Sequence, residues 1–157
     1  VKGILHTDGG ARGNPGPAGI GVVLTVDGGP AREVARSIGE STNNVAEYKA
    51  LIAGLELALE SGISEIEVFV DSELVAAQVK GQWKIKNDRL RALAGKAQSL
   101  LNRFDDASIT HVRRHLNARA DELANEAMDQ GAAVDPLGGP GGLSLDLDAA
   151  VPAEDDR

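Results

Sequence analysis

Four carboxylates in this 157-residue chain stand where folded elements are expected to end, and that placement suggests chemistry. Asp8 closes the short strand-like run of residues 4–8, and Asp71 directly follows the run 66–70. Glu47 falls near the start of one helical pattern and Asp121 in the first turn of another. Side chains just beyond strand ends converge on a crevice in an open sheet. Acids gathered there are hard oxygen ligands, suited to Mg²⁺ or Mn²⁺. Two such cations, roughly 3.5–4 Å apart, make a water nucleophilic and stabilise a leaving oxyanion, as phosphodiester hydrolysis requires. Singly, each acid has an ordinary reading. Asp71 caps the helix that follows it, Asp8-Gly9-Gly10 forms a turn, and Glu47 or Asp121 complements a helix dipole. Only the set of four asks for a common explanation.

The elements that must position these acids show as changes of hydrophobic period. Residues 4–8 read as a first strand, followed by a Gly-rich turn through Pro17. Residues 20–26 and 31–38 read as two more strands joined at Asp27-Gly28-Gly29-Pro30, which predicts an antiparallel meander. From Ala46 the spacing of Leu51, Leu55 and Leu59 predicts a helix, with Thr42, Asn43 and Asn44 as candidate caps and Gly62 as its stop. Residues 66–70 read as a fourth strand, 72–79 and 89–104 as two helices, 108–112 as a fifth strand and 118–128 as a last helix. This order predicts an α/β domain with a five-stranded mixed sheet, its first three strands antiparallel, flanked by helices. Residues 1–131 are expected to form the folded domain, and 132–157 a disordered acidic tail or linker containing Gly and Pro.

Composition narrows the class. The chain has no cysteine, which excludes disulfides and thiolate metal sites. No apolar run approaches a membrane span and no signal-peptide pattern opens the chain, so a cytoplasmic location without a membrane partner is the expectation. The net charge of −8 opposes binding to a polyanion. Six of the 24 acids lie in residues 132–157, however, and several others are candidate metal ligands. Those stop repelling a polyanion once a cation sits on them. His6 and His111 fall within expected strands and read as structural.

Four stretches carry a resemblance: Asp8-Gly9-Gly10 with Gly13-Asn14-Pro15-Gly16-Pro17-Ala18-Gly19; Thr42-Asn43-Asn44-Val45-Ala46-Glu47; Val70-Asp71-Ser72; and His115-Leu116-Asn117-Ala118-Arg119-Ala120-Asp121-Glu122-Leu123-Ala124. In order and spacing they resemble the motifs of the prototype type 1 ribonucleases H, the ribonuclease HI-like family. The resemblance spans nearly all of the expected folded domain. It implies the ribonuclease H-like fold and an endonuclease that hydrolyses the RNA strand of RNA–DNA hybrids, leaving 5′-phosphate and 3′-hydroxyl ends. It implies that Asp8, Glu47, Asp71 and Asp121 are the catalytic acids holding two metal ions, Mg²⁺ or Mn²⁺, with Glu47 also reaching a ribose 2′-hydroxyl. That hydroxyl is how a protein tells RNA from DNA. It further implies substrate contacts from Gly9, Gly10, Asn14, Thr42 and Asn43, with Gln78 as an added candidate. For Asn14 a turn role, and for Asn43 a capping role, compete with substrate contact.

The chain departs from the family pattern in two places. Where some relatives carry a long basic protrusion that grips the DNA strand, this chain has only the short run Lys80-Gly81-Gln82-Trp83-Lys84-Ile85-Lys86-Asn87. Trp83, Lys84 and Lys86 are still expected to meet the hybrid, since Lys and Arg supply most sequence-independent affinity. The stretch before Asp121 is short, and His115 is its one candidate for a catalytic histidine, beside a reading as a locally bonded loop residue. In some relatives the domain is the N-terminal part of a longer chain, so a C-terminal fused domain is a further expectation, otherwise a monomer. A non-catalytic RNA–DNA hybrid-binding module is the alternative, and the presence of all four acids weighs against it.

Overall fold

The computed structural model describes residues 1–133, so the tail expected over 132–157 lies outside the described residues apart from its first two positions. The elements are β1 (Lys2–Ala11), β2 (Gly16–Val26), β3 (Ala31–Ser41), α1 (Asn43–Glu60), β4 (Glu65–Val70), α2 (Glu73–Val79), α3 (Asp88–Leu101), β5 (Asp106–His111), a short 3₁₀ turn (Arg114–Asn117) and α4 (Ala118–Ala133). One five-stranded sheet has the order β3-β2-β1-β4-β5. The first three strands pair antiparallel, while β4 runs parallel to both β1 and β5. Element order and sheet type agree with expectation.

Local signals place the helices. Thr42 caps α1 by accepting from the Val45 N–H at 3.3 Å, and Ser72 caps α2 by accepting from the Val75 N–H at 3.1 Å. Asn87 caps α3 through the Leu90 N–H at 3.0 Å. Each oxygen satisfies an amide that the first helical turn leaves unpaired. Because Ser72 takes the capping duty, the Asp71 carboxylate is left for other work.

Successive strand residues face opposite sides of the sheet. Leu5, Val22, Leu24 and Val68 enter one core with Tyr48, Leu51 and Leu55 of α1 and with Leu90 and Ala97 of α3. Side chains such as these leucines contribute about 2 kcal/mol each when fully buried. The other face carries α4, seated on two residues that lack side chains. A Cβ at Gly21 would lie 2.2 Å from the Ala120 carbonyl oxygen, and one at Gly19 would lie 2.6 Å from Ala127 Cβ.

The first strand is longer than its composition suggests. Gly9 and Gly10 were expected in a turn, yet they pair with Ile20 and Gly19, and β1 continues to Ala11. Strand β2 supplies the ladder that holds them extended. At Gly9 the backbone of α1 occupies the space of a side chain, for a Cβ there would meet the Ala46 carbonyl oxygen at 2.2 Å. The reversal comes later, where Gly13 adopts a φ of 99°. Helix α3 stops at Leu101, three residues short of the expected end, and Phe104 enters the core from the loop beyond.

Helix–sheet contacts this close leave no room for a methyl group. Gly21→Ala is expected to destabilise the domain by about 3 kcal/mol, the cost of overpacking against backbone. Urea unfolding measures it, and a change below half that value would show that α4 can lift off β2 freely.

Candidate metal centre

The parallel ladder between β1 and β4 ends with Thr7 beside Val70. Asp8 and Asp71, the next residue on each chain segment, therefore emerge together at the sheet's open end. Gly9 brings the N-terminal part of α1 against β1, which delivers Glu47. Gly21 does the same for α4, whose first turn carries Asp121. Carboxylate oxygens of Asp8, Glu47 and Asp71 lie within 4.8 Å of one another. Asp8 is also within hydrogen-bonding reach of both Asp71 and Asp121. All four acids singled out in the sequence thus come together, with Asp121 joined to the trio through Asp8.

The electrostatics follow from that crowding. Burial, then the charges of Asp71 and Asp121, push the Asp8 carboxyl up to about 8. Glu47 is raised well above the usual range by burial and by the charges of Asp8 and Asp71, although the Gly9 N–H donates to it and partly offsets this. Asp71 lies beneath the cleft with its side chain only 4% exposed, and its buried Oδ2 accepts no hydrogen bond. The Arg114 Nε stands 3.8 Å away, beyond hydrogen-bonding range. An orphaned buried carboxylate oxygen, among acids that hold protons for want of a counter-charge, is a donor set that fits a hard divalent cation.

The acids open into a cleft of about 350 Å³ lined by Gly10, Arg12, Asn43, Arg114 and Asn125 besides Asp8, Glu47 and Asp121. Two asparagines from the resemblance are linked at its edge. The Asn43 backbone N–H donates to Asn14 Oδ1, and the Ala11 N–H donates to Asn43 Oδ1, each at 2.9 Å. Both carboxamides thus spend their oxygens on the backbone and turn their NH₂ groups elsewhere. Thr42 is buried as the cap of α1.

Other expected residues sit apart from the cleft. Gln78 is buried and accepts a 2.7 Å hydrogen bond from the Tyr48 hydroxyl. Its helical phase puts it on the inward face of α2 with Val75 and Val79. Trp83 is 46% exposed on the α2–α3 connection, with Lys84 and Lys86 also exposed there. His115 is exposed on the 3₁₀ turn, and its neighbour Arg114 is the one that lines the cleft. His6 stacks on Phe69 with ring centroids 5.2 Å apart, while His111 is exposed at the end of β5.

Sequence reasoning missed Arg114 although the strand-end rule that found the acids applies equally past β5. It also missed Asn117, buried and donating through Nδ2 to the Thr7 carbonyl at 2.9 Å. That bond ties the turn preceding α4 to the strand residue beside Asp8.

Comparison with known proteins adds a second line. A family profile described as reverse transcriptase-like matches residues 6–127. The ribonuclease HI of Halobacterium salinarum is 52% identical over 125 residues, covering 79% of this chain and 63% of that protein. A crystal structure of RNase H1 from that archaeon superposes with a TM-score of 0.80 at 48% identity, covering 83% of this chain and 99% of that one. A bifunctional protein of Mycobacterium tuberculosis is 47% identical over 134 residues, which are 84% of this chain and 37% of that protein. LC11-RNase H1, solved in complex with an RNA/DNA hybrid, superposes with a TM-score of 0.77 at 45% identity, covering 83% and 99% of the two chains. The chain therefore spans less than two-thirds of the full length of the Halobacterium and mycobacterial proteins.

The raised acids make stability depend on pH in a defined direction. Asp8 binds its proton up to about pH 8 in the folded chain and only to about 3.8 when unfolded. Between those values the folded state holds more protons, so stability falls as pH rises. In chelator, the melting temperature of the wild type is expected to decline from pH 5 to pH 8. Asp8→Asn should flatten that decline and raise the midpoint at pH 8 by roughly 3–6 °C, about 1 kcal/mol for a domain of this size. Equal slopes for the two proteins in thermal melts would contradict this account of the cluster.

Proposed function

The chain belongs to the ribonuclease H family, of the ribonuclease HI type, and on that premise we propose that it is an endonuclease hydrolysing the RNA strand of RNA–DNA hybrids. The observation that carries this reading is the convergence of Asp8, Glu47, Asp71 and Asp121 from four separate elements on one cleft edged by Asn14 and Asn43. These four acids would hold two Mg²⁺ ions, with Mn²⁺ as a substitute. When bound, such ions supply a nucleophilic water and stabilise the departing 3′ oxygen, so that products carry 5′-phosphate and 3′-hydroxyl ends.

The chain's own residues do the selecting. Asn14 and Asn43 have their carboxamide oxygens engaged and offer N–H donors. The minor groove presents acceptors on base edges, and the RNA strand adds 2′-hydroxyls, so donors at this edge suit a hybrid. Thr42 fixes Asn43 at the first position of α1, and Gly9 and Gly10 keep the cleft floor free of side chains. Glu47 is close enough to the acids to accept from a 2′-hydroxyl while serving the metal site. Trp83, Lys84 and Lys86, exposed beyond α2, would meet the DNA strand, and His115, next in sequence to the cleft-lining Arg114, would act as an accessory group. Gln78, turned inward, is left out of this set.

Residues 1–131 are read as the catalytic domain and the segment beyond as a linker, in keeping with the bifunctional mycobacterial relative. Among the described residues no helix is long and apolar enough to cross a membrane. A monomer working in the cytoplasm completes the reading.

The deciding experiment is cleavage of a labelled RNA–DNA hybrid with Mg²⁺, beside single-stranded RNA, duplex RNA and duplex DNA. Cutting confined to the RNA of the hybrid, lost with chelator and in Asp71→Asn, is the expected result. A folded protein that binds the hybrid without cutting it in Mg²⁺ or Mn²⁺ would instead point to a binding module. The basic segment makes a separate expectation. Lys84→Ala with Lys86→Ala should lower the steepness of log K against log salt by about 1–2, one phosphate contact per lysine. An unchanged slope in filter-binding titrations would remove the segment from the interface.

A further inference from the structure

Three residues beside the acids form a connected chain that the proposed chemistry does not use. Arg12, in the loop after β1, donates through Nη2 to Asp129 Oδ1 at 2.7 Å and to Asn125 Oδ1 at 3.3 Å. Asn125, one helical turn beyond Asp121, donates through Nδ2 to the Asp121 carbonyl at 3.0 Å and reaches Asp121 Oδ2 at 3.4 Å. Arg12, Asn125 and Asp121 all line the cleft. Only one orientation of the Asn125 amide satisfies both neighbours. Its oxygen must face the guanidinium and its nitrogen the carboxylate, since a carboxamide has an acceptor at one end and donors at the other.

We propose that Arg12, Asn125 and Asp129 form a relay that positions the Asp121 carboxylate, with Arg12 acting through Asn125 and not on the substrate. This inference rests on the nuclease reading above. The physical sense of a relay lies in charge. A guanidinium bonded directly to Asp121 would neutralise the ligand a cation needs. A neutral amide holds the carboxylate and leaves its charge intact. Asp129 in turn balances Arg12, so the cleft gains a fixed side chain without gaining a net positive charge at the acids. Arg12 and Asp129 are both substantially exposed, and such an ion pair adds at most about 1 kcal/mol to stability. Its deletion therefore tests position with little disturbance of the fold.

The experiment compares Arg12→Ala, Asn125→Ala and the double variant in three measurements: melting temperature in chelator, Mn²⁺ affinity of the substrate-free protein by calorimetry, and kcat and KM for hybrid cleavage. Groups that orient a metal ligand typically contribute tenfold or more, so each single variant should lose about tenfold in Mn²⁺ affinity and in kcat. KM should stay within about twofold and the melting temperature near that of wild type. The double variant should be no worse than Asn125→Ala alone, because the two act in series. Arg12→Lys should restore part of the loss, because both bonds leave the single nitrogen Nη2 and an ammonium also carries more than one donor. A rise in KM with kcat and Mn²⁺ affinity unchanged would place Arg12 on the substrate and overturn the relay, as would additive losses in the double variant. Wild-type protein that binds Mn²⁺ but cuts no hybrid would sink the nuclease reading, while the calorimetry would still report on the relay.

Discussion

Like charges repel, and this fold holds carboxylate oxygens of Asp8, Glu47 and Asp71 within 4.8 Å of one another in a partly buried place. Nothing in the local sequence favours that arrangement. It persists because the backbone around it has little freedom. Asp8 and Asp71 leave adjacent parallel strands, and the helices bearing Glu47 and Asp121 rest directly on strand glycines. The remaining strain is relieved by protons, which Asp8 and Glu47 keep to unusually high pH. A site that binds protons for want of a cation is prepared for the cation.

Neutral amides do the fine positioning around this cluster. Asn14 and Asn43 tie the β1–β2 loop to α1, Asn117 ties the turn before α4 to β1, and Asn125 reaches Asp121. Each is a side chain bonded to a group far away in sequence or one helical turn distant. Lysines or arginines could not replace Asn14 and Asn43, since neither has an acceptor for the Asn43 and Ala11 N–H groups, and their charges would pair with the acids and weaken the site. Arg114 shows the limit, since it stands near Asp71 without forming a hydrogen bond.

Much of the architecture was legible in the chain. The switch from period two to a helical period after Ser41, with Thr42 among the candidate caps, gave the element order correctly, whereas the cap of α2 proved to be Ser72 and not Asp71. Other residues take their meaning from a neighbour that the local sequence does not show. Gly9 and Gly10 look like a turn until β2 pairs with them and α1 lies against Gly9. Gln78 looks available until the phase of a seven-residue helix turns it toward Tyr48. His115 drew attention by residue type, whereas the turn that carries it presents Arg114 to the cleft.

The sequence by itself determined which residues could ligate a cation, that they end separate elements, and that the elements form a mixed sheet. These are local properties, set by side-chain chemistry, hydrophobic period and capping. The tertiary structure alone decided the distances: which acids touch, which oxygen is left without a partner, and which asparagine faces which carboxylate. Those depend on contacts such as Gly21 against Ala120 and Arg12 against Asp129, made between residues about a hundred positions apart. No local pattern encodes them, because the space a missing side chain leaves has value only to the helix that fills it.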